Sequence, residues 1–190
     1  MLVTRLIIEN SGPTGSIVLA QERSLVLEKS FQGSAELASL VDATIKGIER
    51  LDEVVVGIGP GSYTGLRVAV ATALGMKLAI GCRTLGCPSV LGYPEESYLV
   101  IGDARRGAFF LAEIRAGKLP ELPRLVRRAE LGTEISKANL KRVFATSPVA
   151  ELPDVEVLLP HARYLIDRDE SYADLGEPIY LKEPHITPPK

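Results

Sequence analysis

The chain has 190 residues, 46% of them hydrophobic and 24% charged, and a formal net charge of −2. These values exclude a disordered chain, and they give the molecule as a whole no electrostatic grip on nucleic acid or an anionic membrane. At this length about 70% of the unfolded surface is buried on folding, enough for a core in one domain or in two small lobes.

In chain order, residues 2–8 read as a mostly buried strand, 11–15 as a turn and 16–20 as the return strand of a hairpin; 25–27 add a third strand. Leu37, Leu40, Val41, Thr44, Ile45 and Ile48 then share one face of a helix. Ser34 is its candidate N-cap. Residues 54–58 are a β-branched run that reads as a fully buried strand. A glycine-rich loop follows, then a second helix to about residue 80.

The same order recurs after Pro94: strands at 98–102, 108–115 and 124–128, a helix at 130–140, and a weaker strand and helix at 143–145 and 162–169. The boundary falls in 88–97, which contains Pro88, Gly92 and Pro94. Two α/β lobes of about β-β-β-α-β-α are expected, residues 1–93 and a smaller 94–190.

The loop reads Gly59-Pro60-Gly61-Ser62-Tyr63-Thr64-Gly65-Leu66-Arg67. A strand that ends in glycines and runs into a helix gathers free N–H groups and the positive end of the helix dipole, which suits phosphate. Gly59, Gly61, Ser62, Thr64, Gly65 and Arg67 are the candidate phosphate-contacting residues. The segment lacks the spacing and lysine of GxxxxGK[ST], and it lacks GxGxxG, so a tight strand-to-helix turn stands as the alternative. The helix behind it is apolar nearly all round and rich in Ala and Gly, so it must be covered on most sides.

Other chemistry is sparse. His161 and His185 fit no metal-ligand spacing, Cys82 and Cys87 form no CxxC pair, and no serine sits in a GxSxG elbow. No metal and no nucleophilic triad are expected. Arg105-Arg106 and the run Arg124, Arg127, Arg128 are the best candidate RNA contacts, although short clusters of this kind are ordinarily solvated faces. The N-terminus lacks the pattern of a secretory signal, and the apolar stretch 66–80, interrupted by Arg67, Thr72 and Lys77, is too short and polar to span a bilayer; a cytoplasmic location with no membrane contact is the expectation.

The loop resembles the G-P-G-S-[FY]-T-G-[LIV]-R signature of the TsaB family, also called YeaZ. Leu6-Ile7-Ile8-Glu9-Asn10-Ser11 is similar to that family's L-A-I-D-T-S, Ile101-Gly102-Asp103-Ala104-Arg105-Arg106-Gly107 to its I-D-A-R-[RKM]-G, and Glu177-Pro178-Ile179-Tyr180-Leu181-Lys182 to its [EA]-P-x-Y-L-R. Against the family pattern, Glu9 stands for Asp, Asn10 for Thr, Gly33 for His and Ala108 for Glu, and the chain is short in its second half.

The resemblance implies two ribonuclease-H-like lobes of the actin, sugar kinase and Hsp70 superfamily, the second one trimmed. It also implies a non-catalytic subunit that partners a TsaD-like catalytic subunit and a TsaE-like ATPase in threonylcarbamoyl transfer to the tRNA adenosine beside the anticodon. The chain would pair with itself when alone and meet tRNA only through the complex. No tightly bound cofactor is implied, and ATP or ADP is expected, if at all, at the junction with the partner. The two first-lobe helices would make the contact, with Leu37, Val41, Ile45, Leu66, Ala69, Val70, Ala73 and Met76 as candidate interface residues. The alternative is an ATP-binding phosphotransferase or ATPase of the same superfold.

Overall fold

The structure, a computed structural model, describes residues 2–181; His185, Lys182 and the proline-rich tail lie outside them. The first lobe is a sheet of β1 (Thr4–Glu9), β2 (Thr14–Gln21), β3 (Ser24–Gln32), β4 (Glu53–Gly57) and β5 (Arg83–Cys87), with α1 (Leu37–Ile45) and α2 (Tyr63–Ile80). The second has β6 (Tyr98–Asp103), β7 (Ala108–Ile114), β8 (Arg124–Arg127), α3 (Leu131–Ala138), β9 (Val143–Ala145) and β10 (Glu156–Val157). After α4 (Ala162–Leu165) the chain returns to the first sheet, where β11 (Ala173–Asp174) pairs with β5.

The two sheets share one strand plan. The first runs β5-β4-β1-β2-β3 and the second β10-β9-β6-β7-β8, each an antiparallel meander extended by parallel strands beside its first member. This is the mixed α/β architecture of two ribonuclease-H-like lobes.

Strand alternation creates the layers. On β1 and β4, Leu6, Ile8, Val54 and Val56 face α1 and α2, while Ile7 and Val55 face the other way into a core shared by both sheets. Tyr98, Val100, Phe110 and Phe144 of the second sheet enter that same core, together with Ala162 and Leu165 of α4. Leu99, Ile101 and Phe109 point outward onto α3. Burial on both faces is why β1, β4 and β6 read as continuous apolar runs rather than alternating ones.

Charge also ties the first sheet together. Arg5 and Glu53 are cross-strand partners on β1 and β4, Glu53 and Arg83 on β4 and β5, and the Glu53 carboxylate holds Arg5 at 2.8 Å and Arg83 at 3.1 Å. Arg5 and Glu53 are largely buried.

Several expectations shift. β3 is nine residues long rather than three, because pairing with β2 carries the polar stretch Glu28-Lys29-Ser30 into the ladder although it has no apolar alternation of its own. Ser34 does not cap α1, whose N-cap is Glu36 with no side-chain bond; Ser34 Oγ accepts from Asn10 Nδ2 instead. α1 stops at Ile45, short of Ile48, and β5, β10 and β11 are additional strands.

Glu53→Ala leaves the Arg5 guanidinium buried without its partner, and equilibrium urea unfolding should show a loss of about 3 kcal/mol. Arg50→Ala, which removes an ion pair from a side chain 71% exposed, should stay within about 0.5 kcal/mol.

Candidate functional site

The loop between β4 and α2 is closed by the protein's own backbone. The Ser62 N–H donates to Ser11 O at 2.7 Å, and Asn10 Nδ2 donates to Gly65 O at 3.0 Å. A Cβ on Gly61 would stand 2.3 Å from Ser11 O, one on Gly65 2.0 Å from Asn10 O, and one on Gly57 1.8 Å from Glu9 Oε2. These glycines therefore let the end of β1 lie directly on the loop, a contact that no side chain permits.

Other loop groups are engaged in the same way. Gly59 N–H donates to Ser89 Oγ at 2.9 Å. The Ser62 hydroxyl caps α2 by accepting from Gly65 N–H at 3.2 Å. The Arg67 guanidinium lies over the Tyr63 ring and bonds its hydroxyl. On the other side, Ile179 N–H donates to Ile58 O at 2.8 Å, which places Tyr180 against Tyr63 with ring centroids 5.4 Å apart.

A cleft of about 890 Å³ opens between the lobes beside this loop. The first lobe supplies Ser11, Pro60, Gly61, Ser62 and Tyr63; the second supplies Asp103, Arg105, Thr146 and Ser147; Tyr180 and Leu181 close one side. Of the six candidate phosphate residues, Gly61 and Ser62 line it, whereas Gly59, Thr64, Gly65 and Arg67 do not. Sequence reasoning missed Thr146, Ser147 and Leu159, which lie in irregular segments on either side of β10 with no periodicity to mark them.

Glu9 does not reach the cleft lining. Its Oε1 accepts the Ser11 N–H at 2.7 Å, and Oε2 is buried without a hydrogen-bond partner of good geometry. Burial raises its pKa above the ordinary 4.5, against the opposing pull of Ser11 and Ser89. Asn10 bonds Gly65 and Ser34; Gly33, at φ +71°, has open space around it; Ala108 pairs with Arg127 at the sheet edge.

Among the described residues, no three His, Cys, Asp or Glu side chains converge as a metal site requires. His161 caps α4, accepting from Arg163 N–H through Nδ1. Cys82 and Cys87 are free and buried, and burial pushes the Cys87 thiol far up. None of the helices among the described residues is long and apolar enough to cross a membrane.

The structure places the candidate interface residues on the inner side of the two helices. Leu37, Val41, Leu66, Ala69, Ala73 and Met76 are buried inside the first lobe, and Ile45 and Val70 pack partly against the same core. Helical periodicity marks the stripe that faces the sheet, so it selected the inward face. The outward face of α2 carries Arg67, Ala71, Leu74, Gly75 and Leu78, with Leu74 43% and Leu78 89% exposed.

Two measurements check this geometry. Gly65→Ala forces a methyl into the Asn10 carbonyl and should cost about 2 kcal/mol in urea unfolding, whereas Gly75→Ala, with nothing within 4 Å, should add roughly 0.5–1 kcal/mol. For Glu9, a raised folded pKa means that the native state holds its proton more tightly than the unfolded chain, so ionisation opposes folding as pH rises above 4.5. The stability of Glu9→Gln relative to the parent should therefore increase with pH above about 4.5, and a flat difference would contradict the burial of this carboxyl.

Comparison with known proteins supports the same assignment. Residues 34–119 match the family described as TsaD, tRNA N6-adenosine threonylcarbamoyltransferase. An uncharacterized protein of Mycobacterium tuberculosis is 32% identical over 160 residues, covering 80% of this chain and 74% of that one. An uncharacterized protein of Mycobacterium leprae is 42% identical over 84 residues, 43% of this chain and only 23% of its own length. Among solved structures, an uncharacterized Pseudomonas aeruginosa protein with similarity to peptidase YeaZ has a TM-score of 0.72, covering 95% of this chain and 100% of its own, at 20% identity. YeaZ from Pseudomonas aeruginosa gives 0.68 at 20% identity, with 94% and 100% covered. With 32% identity over most of both chains, the chain belongs to the same family as the M. tuberculosis protein, and it has the fold of YeaZ.

Proposed function

We propose that this chain is a non-catalytic subunit that docks on a TsaD-like catalytic partner and supports threonylcarbamoyl transfer to the tRNA adenosine beside the anticodon, together with a TsaE-like ATPase. The observation that carries the reading is the outward face of α2. Leu78 is 89% exposed and Leu74 43%, and they stand beside Ala71 and Gly75, whose small side chains let another helix approach closely. An exposed apolar stripe on a helix whose opposite face packs on the sheet suits a partner surface. The same face serves a second copy when the partner is absent.

The glycine loop supports this division of labour. Its glycines admit protein backbone, and the Gly59, Ser62 and Gly65 N–H groups are already engaged within the chain. Its part is to fix the start of α2 against β1.

The inter-lobe cleft favours the second reading, an ATP-binding phosphotransferase or ATPase, since hydroxyls of both lobes and Asp103 face it. ATP turnover by the isolated chain, lost on Asp103→Asn, would establish that reading, and its absence would remove it.

Leu78→Asp places a charge on the docking face without touching the core. It should fold like the parent but fail to co-elute with a TsaD-type protein in size-exclusion chromatography. Leu122→Asp, at a residue 72% exposed in the second lobe, should still co-elute. Undiminished co-elution of Leu78→Asp would sink the proposed docking face.

A further inference from the structure

The two arginine runs, separated in sequence by the whole of β7, meet at one corner of the second sheet. Arg105, Arg106 and Gly107 form the tip of the β6–β7 hairpin, and the Arg128 N–H donates to Gly107 O at 3.1 Å. Ala108 is the register partner of Arg127. All four arginines are exposed.

Their backbone is unusual. Arg105 and Arg106 both adopt the left-handed conformation, at φ 61° and 57°, and Gly107 follows at φ 72°. A side-chain-bearing residue is disfavoured there, and two in succession are held only because the Asp103 carboxylate accepts the Arg105 N–H at 2.7 Å and the β8 end anchors Gly107. Glycine or asparagine would make this turn with less strain, so the turn alone does not account for arginine at both positions.

The local charge balance leaves cations available. Arg128 is engaged by Glu151 and lies over the Phe109 ring, and Asp103 is engaged at the turn. Arg124 is paired with Glu134. Arg106 and Arg127 have no ion pair among the described residues. Arg105 also lines the mouth of the inter-lobe cleft, beside Thr146 and Ser147.

We propose that this corner is a phosphate-contact surface for RNA, with Arg106 and Arg127 meeting the sugar–phosphate backbone of a tRNA. Guanidinium groups suit this task because their planar donors fit phosphate oxygens in pairs. Two local contacts are compatible with a chain of net charge −2, since the attraction acts within about a Debye length. The choice of RNA over other polyphosphates rests on the proposed role in tRNA modification.

The test is fluorescence anisotropy with a labelled, unmodified tRNA transcript, using the full chain alone and assembled with a TsaD-type partner across a salt series. The double variant R106G/R127A removes both charges, and glycine relieves the left-handed position, so the fold is retained. The expected result is tRNA affinity weakened about tenfold or more at low salt, with the slope of log K against log salt reduced by about 2 and co-elution with the partner unchanged. Equal affinity and slope for parent and variant, alone and in the complex, would overturn the inference. Should the partner fail to co-elute while the isolated chain still loses tRNA affinity on R106G/R127A, the docking reading falls and this surface stands.

Discussion

The close approach of the β1 end to the glycine loop is the contact on which the rest of the first lobe depends. Ser11 O accepts from Ser62 N–H, Asn10 Nδ2 donates to Gly65 O, and the glycines at 57, 61 and 65 leave no room for a Cβ between the two segments. This contact sets where α2 begins, and the Ser62 cap and the left-handed Gly81 at its C-terminus set its length. Because the start of α2 is fixed on one side by β1 and on the other by Ile179 and Tyr180, the helix presents a defined outer face.

The layered core extends that constraint through the molecule. Each sheet divides its side chains between its own helices and a middle layer that both sheets share, with Phe144 stacked on Tyr93 and edge-on to Tyr98 at its centre. α4 and β11 return from the second half to the first sheet and so tie the two halves of the chain together through the shared core and the β5 edge. The cleft and the outer face of α2 meet at Tyr63, which lines the one and begins the other.

Much of this was legible in the sequence, and the failures have physical causes. β1 and β4 announced themselves because burial on both faces demands uninterrupted apolar runs, and the repeated order of elements pointed to two lobes; α2, expected to be covered on most sides, is instead buried on one side and exposed along the other. β3 was underestimated because an edge strand with Glu28 and Lys29 takes its structure from pairing rather than from its own pattern. The candidate interface residues fall on the inward-packing side because a 3.6-residue periodicity marks that face, while the outer face of Ala71, Leu74, Gly75 and Leu78 has no independent signature. For the loop, the sequence left a phosphate site and a tight strand-to-helix turn open, and the structure shows that the group approaching the glycines is the Asn10–Ser11 backbone. Thr146 and Ser147 reach the cleft through the lobe arrangement, which no local pattern encodes.

The central claim, that α2 is held from within so that its outer face can receive a partner, is tested most directly by a photo-crosslinking residue at position 78 in the otherwise unaltered chain, mixed with a TsaD-type protein. The account predicts crosslinks from position 78 to that partner and, when the partner is omitted, to a second copy of the chain, with none from a matched probe at position 122. Crosslinks that form from position 122 but not from position 78 would contradict it.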